Sequence, residues 1–440
     1  MRSLLILLLP FLAAVLAAAD SDAGRPEPRG PAWDGKSFAV HEWGTFTAVQ
    51  GSNGVVLDGL MHEERDLPPF VYDLRDSTGV TGYSPKMETP VIYFYSPTER
   101  RVSVEVKFPR GAITQWYPAA RRVNHERRNE SCQPAPPDGR VITSLQDGFV
   151  TWGGWHQLQV LAPGAPARLP QVDADDPWVF ARDVDANTLR TFNYTSARHG
   201  GDRTAPPRTE QEKFLFYRGL GNFHMPLVGK VQSEQAGTKR YRADLLLETQ
   251  EPVTHLFLIW VRDGKSGYRY IPALEGSRRI SLDLELRASE LCTKDLVGAL
   301  AYQLSKTGLY YKEALAMART WQQGYFQDEG LRVLYVLPRK FVDAELPLRV
   351  QEDGKREPVP VVRTFVGRLE LLSPERERVM VRAVRDYASG GAEARARARG
   401  TITEWGRFAA PYLSRVQALT EDATVKSEVA ALLDQLKLRR

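Results

Sequence analysis

Four glutamates are the candidates for acid–base chemistry in this sequence. They are Glu42, Glu88, Glu313 and Glu329. Enzymes that hydrolyse glycosidic bonds use two carboxyl groups that flank the bond, about 5–9.5 Å apart. The sequence does not give the distances between these side chains, so it names candidate catalytic residues without defining a pair.

Charged and aromatic side chains set among apolar residues form a second group of candidates. Arg332 lies in one predicted strand, and Arg368 and Glu370 lie two residues apart in another, where they share a face. Because pockets favour places where domains meet and arginine binds carboxylates through two hydrogen bonds, we expect an anionic or hydroxyl-rich ligand such as a glycan. The candidate ligand-binding residues are His41, Trp43, Arg332, Arg368 and Glu370. The alternative to a ligand site is that these charged side chains pair only with one another, since buried charges are costly unless paired.

Metal binding has little support in the spacing of the histidines. Three of the seven histidines, His41, His62 and His125, directly precede a glutamate. His41 and Glu42 are neighbours in a predicted strand, so their side chains point to opposite faces and cannot easily share one ion. A catalytic zinc usually has three protein ligands, and no spacing here supplies two. We therefore expect no metal site and no cofactor.

The composition and the standard motifs exclude several classes of function. The sequence contains no G-x-S-x-G, no H-E-x-x-H and no G-x-G-x-x-G before a predicted helix. It carries 59 Lys and Arg against 54 Asp and Glu, a net charge of +5 over 440 residues. A charge this small implies no nucleic-acid or membrane-surface partner.

Most of the candidate residues lie in a region of predicted strands over residues 38–286. Val102, Val104, Val106 and Phe108 alternate with polar residues, as in a half-buried strand. Similar runs cover residues 90–95, 157–161, 214–218, 241–248, 253–262 and 280–286. Many short strands with Gly and Pro turns and no helices between them predict an antiparallel β-sandwich-like body.

The pattern changes after residue 286. Residues 287–372 combine helical stripes with apolar strands, which predicts an α+β segment packed on the β-rich domain. Residues 373–440 predict a helical C-terminal cap, with Ser373 as the first capping residue and Thr401 as the start of a further helix. The fold class is therefore expected to be α+β.

The N-terminus has the pattern of a cleaved signal peptide over residues 1–19. Arg2 precedes an apolar run that Pro10 interrupts, and Ala17-Ala18-Ala19 supplies the small residues of a cleavage site. The run is shorter than the ~20 residues that a membrane-spanning helix needs. Residues 20–37 predict a flexible leader. We therefore expect a secreted or periplasmic protein with no membrane span in the mature chain.

Two cysteines, Cys132 and Cys292, leave a single disulfide open as a question. An oxidising compartment permits the bond. Cys132 lies in a polar loop, whereas Cys292 lies on a helical apolar stripe, where cysteine is more naturally a small core residue. The sequence favours two free cysteines without excluding the bond.

Several boxes resemble a family of secreted bacterial proteins that share an HEWGTFT-type box near the mature N-terminus. The boxes are residues 41–47, 88–95, 216–219 and 329–339. They extend from residue 38 to about residue 370, which is nearly the whole predicted folded chain. The resemblance implies a bacterial, exported protein, and it implies no activity, cofactor or catalytic residue.

Two functions remain open on the sequence alone. The first is an exported extracytoplasmic binding or envelope-associated protein, which the lack of catalytic spacings favours. The second is a secreted hydrolase that acts on glycans or other envelope polymers with a pair of the four glutamates.

We predict that the protein is exported and cleaved after Ala19, because the residues before it have the three parts of a signal peptide. N-terminal sequencing of protein recovered from outside the cytoplasm should start at Asp20. Extracytoplasmic protein that begins at Met1 would contradict this prediction.

Overall fold

The computed structural model describes thirteen stretches of the chain. They are residues 30–58, 67–74, 80, 82–124, 142–154, 158–193, 208–233, 240–262, 265–276, 279–285, 293–322, 324–405 and 409–438. The predicted signal peptide, both cysteines, His62 and His125 lie outside these stretches. The expectations for them stay predictions.

Strands and helices follow one another without a regular alternation along the described part of the chain. The strands are β1 (Ala39–Gln50), β2 (Val56–Leu57), β3 (Tyr72–Asp73), β4 (Lys86–Tyr95), β5 (Arg100–Phe108), β6 (Gly111–Tyr117), β7 (Arg122–Val123), β8 (Gly148–Trp152), β9 (Leu158–Val160), β10 (Leu189–Asn193), β11 (Arg208–Glu212), β12 (Leu215–Gly221), β13 (Leu227–Ser233), β14 (Arg240–Leu247), β15 (Val253–Arg262), β16 (Lys265–Leu274), β17 (Arg279–Glu285), β18 (Gly330–Val336), β19 (Leu348–Glu352) and β20 (Val361–Leu371). The helices are α1 (Pro177–Arg182), α2 (Thr293–Ser305), α3 (Tyr311–Thr320), α4 (Arg339–Glu345), α5 (Pro374–Ser389), α6 (Ala392–Trp405), α7 (Ala410–Leu419) and α8 (Ala423–Leu438). The expected mixture of helices and antiparallel strands is confirmed.

A ten-stranded main sheet organises the molecule. Its strand order is β16-β15-β18-β20-β1-β4-β12-β6-β3, with β2 also paired to β1. The pairing of β1 with β20 is parallel, and the other described pairs of this sheet are antiparallel. The first long strand of the chain therefore lies beside the last one.

The segment over residues 287–372 is part of this sheet, which differs from the expected packing of a separate segment on a β-rich domain. β18 and β20 lie between β15 and β1, and β19 pairs with β5 of a second sheet. Both strands are buried on their two faces, as Val333 and Leu334 show in β18. Such continuous apolar runs are typical of central strands, and this placement follows from burying them.

The two faces of the main sheet are covered by different layers. On one face, a seven-stranded sheet and the three-stranded sheet β13-β14-β17 share one apolar cluster with the main sheet. On the other face, α1, α2 and α3 pack on the main sheet through a second cluster. The helices α5 to α8 have a cluster of their own. None of the helices in the described stretches is both long and apolar enough to cross a membrane.

Two local expectations are wrong. Residues 38–286 do contain a helix, α1, which begins with a capping bond from the Trp178 backbone N–H to Asp176 Oδ1 (2.8 Å) and with Pro177 in its first turn. Thr401 does not start a helix, because it lies inside α6 and its hydroxyl donates to the Arg397 carbonyl (3.4 Å). The expected cap at Ser373 is confirmed, since its Oγ accepts from the backbone N–H of Arg376 (3.2 Å).

A buried ion pair joins the two parallel strands on the face toward the second sheet. The guanidinium of Arg363 in β20 donates from Nε to the carboxylate of Glu42 in β1. The Tyr217 hydroxyl of β12 donates to the same carboxylate. Arg363 Nη1 reaches Asp343 Oδ1 of α4 at 2.8 Å. Glu42 is therefore placed as a structural counter-ion.

We predict that Glu42→Gln lowers the free energy of unfolding by roughly 3–5 kcal/mol, because it leaves the Arg363 charge buried without its closest counter-ion. The matched control is Asp343→Asn, which removes the partly exposed partner of the same guanidinium and should cost at most about 1 kcal/mol. Urea unfolding monitored by tryptophan fluorescence measures both. Equal losses for the two variants would contradict the structural role of Glu42.

Candidate functional site

Consecutive residues of β1 serve opposite faces of the main sheet. His41, Trp43 and Thr47 lie on the face covered by the helices, where Trp43 packs in the cluster formed with α1 to α3. Glu42 lies on the other face with Tyr217. The expectation that the side chains of His41 and Glu42 point to opposite faces is confirmed by these contacts.

His41 ties β1 to the start of α3. His41 Nδ1 lies 2.7 Å from Glu313 Oε2, and the same oxygen accepts from the backbone N–H of Tyr310 (2.8 Å). Burial and the Glu313 charge raise the pKa of Tyr95, which packs against the imidazole, well above its ordinary value. The His41–Glu313 pair thus holds a helix start on the sheet.

A buried cluster of charges lies on the helical face of β18 and β20. Because β18 and β20 are antiparallel, Arg332 lies directly opposite Glu370, and Arg332 Nε is 3.1 Å from Glu370 Oε1. Arg368 Nε donates to the same oxygen (2.7 Å). The Arg368 guanidinium also lies 3.6 Å from the ring centroid of Tyr325. The expected pairing of Arg368 with Glu370 is confirmed.

Glu88 of β4 extends this cluster toward the helices. Its Oε2 accepts hydrogen bonds from the hydroxyls of Thr47 (2.9 Å) and Tyr325 (2.7 Å), and its Oε1 lies 3.2 Å from Lys86 Nζ. Burial raises the pKa of Glu88, but Lys86, Arg368 and the Tyr325 hydrogen bond outweigh burial and hold this pKa well below its ordinary value. Glu88 is therefore a carboxylate at neutral pH and has no proton to give as a general acid.

A small pocket opens beside Glu88, between β1, β4, β12 and the helices α1 and α3. Its free volume is about 80 Å³, and its walls are mainly apolar. The lining includes Trp43, Glu88, Thr89, Asp176, Trp178, Phe214, Phe216, Arg218, Trp321 and Tyr325. Ligand pockets are commonly ~300–1,000 Å³, so this one admits a single small group rather than a nucleotide-sized cofactor.

Hydrogen bonds to β4 and β11 hold α1 at one wall of this pocket. The Tyr93 hydroxyl of β4 donates to the Ala181 carbonyl (2.8 Å). The Trp178 indole donates to Glu212 Oε2 (2.8 Å), which Arg182 also contacts at 2.6 Å. The wall is thus fixed to the main sheet through β4 and to the seven-stranded sheet through β11.

The pocket lining contains buried polar atoms that have no hydrogen-bond partner in the described part of the protein. Nε1 of Trp43, Nε1 of Trp321 and Oγ1 of Thr89 are among them. Thr89 also has a positive φ of 51°, which is rare for a β-branched residue. A buried donor without a partner costs about 1–3 kcal/mol, and strained residues cluster at functional sites. Two tryptophans of the pocket lining thus carry buried indole N–H groups that lack an acceptor in the described residues.

The structure separates the candidates that the sequence could not separate. Of the four glutamates, only Glu88 lines the pocket, whereas Glu42 and Glu313 are buried in other pairs and Glu329 is exposed. Of the candidate ligand-binding residues, only Trp43 lines it. Arg368 packs on the ring of the lining residue Tyr325, and Arg332 donates to the Tyr325 backbone carbonyl. Glu370 pairs with both arginines.

The sequence reasoning missed several lining residues. Thr89 has no local signal for its strained conformation, and Tyr325 lies in a turn. Trp321 directly follows α3 and continues the apolar stripe of that helix, so the sequence indicates a buried core residue. The resemblance box at residues 88–95 does contain Glu88 and Thr89.

Residues 30–37 match the G-x-x-x-x-G-K-S pattern of a phosphate-binding loop in spacing alone. Asp34 Oδ1 accepts from the backbone N–H groups of Lys36 (2.8 Å) and Ser37 (2.9 Å), and these bonds lower the pKa of Asp34. The strand β1 follows, whereas a phosphate-binding loop precedes a helix. The two N–H groups are thus occupied, and the match is coincidental.

In the described stretches, no group of three His, Cys, Asp or Glu residues is placed to hold a metal ion.

Comparison with known proteins adds little to this geometry. The chain matches no protein-family model and no curated protein sequence. Among solved structures it is similar to the yeast delta-COP-I mu-homology domain complexed with a Dsl1 WxWxV peptide, with 8% sequence identity and a TM-score of 0.26. The match covers 76% of this chain and 96% of the yeast domain. A TM-score of this size does not establish a common fold.

We predict that Glu88→Gln destabilises the fold by roughly 3–5 kcal/mol at pH 7, because Lys86 and Arg368 stay buried with one counter-charge fewer. The pKa of Glu88 is lower in the folded than in the unfolded protein, so its contribution is complete above about 4.5 and is lost as the pH falls further. The gap to the wild type should shrink by about 1.4 kcal/mol per pH unit below that value.

Urea unfolding from pH 7 to pH 3 measures this gap. Glu105→Gln, on a half-exposed carboxylate of β5, is the control and should change stability by less than about 0.5 kcal/mol at every pH. A Glu88→Gln gap that stays constant down to pH 3 would show that this carboxylate is not held ionised.

Proposed function

We propose that this chain is an exported bacterial binding protein that holds a small acceptor group of its ligand in the pocket beside Glu88. The observation that carries the proposal is the pair of buried indole N–H donors, at Trp43 and Trp321, that have no partner in the described residues. An oxygen acceptor from a ligand would satisfy both donors. The ligand class is therefore an anionic or hydroxyl-rich molecule, such as a glycan.

The size and walls of the pocket support a terminal group rather than a whole ligand. A free volume of about 80 Å³ fits a carboxylate or a hydroxymethyl group. The aromatic walls at Trp178, Phe214 and Phe216 give apolar contact to the part of the ligand next to that group. A site built from hydrogen-bond donors discriminates against analogues that lack the acceptor, because its buried donors then stay unpaired.

The location and the fold description belong to the same proposal. The pattern of residues 1–19 supports export to the periplasm or beyond the cell, and the HEWGTFT-type box supports membership of a secreted bacterial family. The common apolar cluster of the main and seven-stranded sheets supports the description of the β body as sandwich-like. We propose a binding or envelope-associated role outside the cytoplasm.

A secreted hydrolase is the second candidate, because two carboxylates line the pocket beside Trp43 and Trp321. Glu88 and Asp176 both contact it. Glu88 is ionised, so it could act as a nucleophile or a base, and Asp176 would then have to be the acid. Asp176 already caps α1, where its Oδ1 accepts a hydrogen bond from the backbone N–H of Trp178, so one of its oxygens is engaged with the helix. Hydrolysis of a glycan by the wild type that Glu88→Gln abolishes would favour the enzyme.

We predict that at least one member of a panel of acetate, lactate, glucuronate, glucose and N-acetylglucosamine raises the melting temperature of the wild type. A ligand that binds only the folded state stabilises it by about 2.7 kcal/mol at a hundred times its Kd. Trp43→Phe and Trp321→Phe keep an aromatic ring but remove the donor, so each should weaken binding at least tenfold. Thermal shift titration measures both effects.

Trp152→Phe is the matched control for these variants. Its indole donates to the Pro118 carbonyl (2.9 Å), and it does not line this pocket. It should bind the ligand as the wild type does. The proposal fails if no panel member shifts the melting temperature, or if all three tryptophan variants lose binding equally.

A further inference from the structure

The net positive charge of the sequence is concentrated in residues 373–440, the region that contains the helices α5 to α8. Residues 373–440 contain 13 Lys and Arg against 9 Asp and Glu, whereas the preceding 372 residues contain 46 against 45. These helices pack around an apolar cluster separate from that of the sheets. A small overall charge therefore hides a one-sided distribution, which is typical of proteins that meet an anionic partner.

The outer face of α5 presents much of this charge in one stripe. Arg378, Arg382 and Arg385 are exposed and lie within about 60° of one another around the helix axis, at ~100° per residue. An exposed valine flanks them on each side, Val379 with 47% and Val381 with 40% of its surface accessible. The opposite face of α5 is buried in the helical cluster. We call these five residues the basic stripe.

The charges of the basic stripe are largely uncompensated. Within the described residues, neither Arg382 nor Arg385 forms an ion pair, and Arg378 contacts only Glu375, at 3.3 Å with both side chains exposed. Glu377, the carboxylate beside the stripe, is turned away and accepts from the backbone N–H and hydroxyl of Ser52 (2.8 and 2.6 Å). A groove of about 440 Å³ runs along the arginines to Ser52.

We propose that the basic stripe docks on an anionic phospholipid surface. Headgroup phosphates would pair with the three arginines, since guanidinium groups bind phosphate oxygens through two hydrogen bonds. The flanking valines would enter the boundary between headgroups and acyl chains, as the apolar edge of an interfacial helix does. A soluble polyanion would explain the arginines but would leave the two exposed valines without a role. The proposal does not depend on the ligand pocket.

Sedimentation with vesicles tests the proposal. The full chain should bind vesicles of phosphatidylglycerol and phosphatidylcholine, bind pure phosphatidylcholine vesicles at least tenfold more weakly, and lose affinity as the salt concentration rises. Each basic residue near such a surface is worth about 1 kcal/mol, so the double variant Arg382→Gln/Arg385→Gln should bind at least tenfold more weakly. Any contribution of the apolar N-terminal run is the same in every variant.

Controls separate membrane docking from general charge effects. Arg121→Gln/Arg122→Gln removes two exposed arginines from the edge of the seven-stranded sheet and should leave vesicle binding unchanged. Val379→Ser/Val381→Ser should weaken vesicle binding without changing the binding of inositol hexakisphosphate. All variants are at exposed positions, so their melting temperatures should match the wild type.

Three results would overturn the proposal. The first is equal binding to neutral and anionic vesicles, and the second is an equal loss of vesicle binding in the stripe and control arginine variants. The third is tight binding of inositol hexakisphosphate together with vesicle binding that is unchanged in the valine variant. The last result would assign the stripe to a soluble polyanion instead.

Discussion

The parallel contact between β1 and β20 is the constraint on which the rest of the structure depends, because both of its faces carry buried charge. Glu42 and Arg363 pair on the face toward the second sheet. On the helical face, Arg368 of β20 lies beside Thr47 of β1 in the strand register. A charge taken out of water is stable only when a counter-charge and hydrogen bonds are in place. The register of the two strands places Glu42 beside Arg363 on one face. On the other face it places Arg368 beside Thr47, whose hydroxyl donates to Glu88, a counter-ion of Arg368.

The same constraint gives the pocket beside Glu88 a fixed shape. Glu88 is held by Thr47, Lys86 and Tyr325, so its carboxylate cannot turn into the pocket without breaking contacts with buried groups. The stacking of Trp321 on Tyr325, with ring centroids 5.5 Å apart, fixes one of the indole donors in turn. The pocket is therefore organised before a ligand arrives, which reduces the entropy that binding would otherwise cost.

The sequence predicted the elements of this fold better than their arrangement. The alternation in β5, the apolar runs of β18 and β20 and the cap of α5 depend on local patterns, and each was found near its observed bounds. The placement of β20 beside β1 depends on contacts between residues more than 300 apart, which no local pattern contains. For the candidate site, the charges of Arg368 and Glu370 among apolar residues signalled a buried network. Thr89 and Trp321 line the pocket only because distant strands and helices meet there.

The first four residues of the HEWGTFT-type box, which lie in β1, have different structural roles. His41 holds the start of α3 through Glu313, while Glu42 neutralises Arg363 on the opposite face. The structure leaves no room for a side chain at Gly44, because a Cβ there would lie 2.8 Å from the ring of Phe365 and 3.0 Å from the backbone of Pro90. Trp43 is then the one residue of the four whose polar atom lacks a partner in the described protein. Its neighbours are accounted for by the fold, whereas the described residues supply no acceptor for its indole N–H.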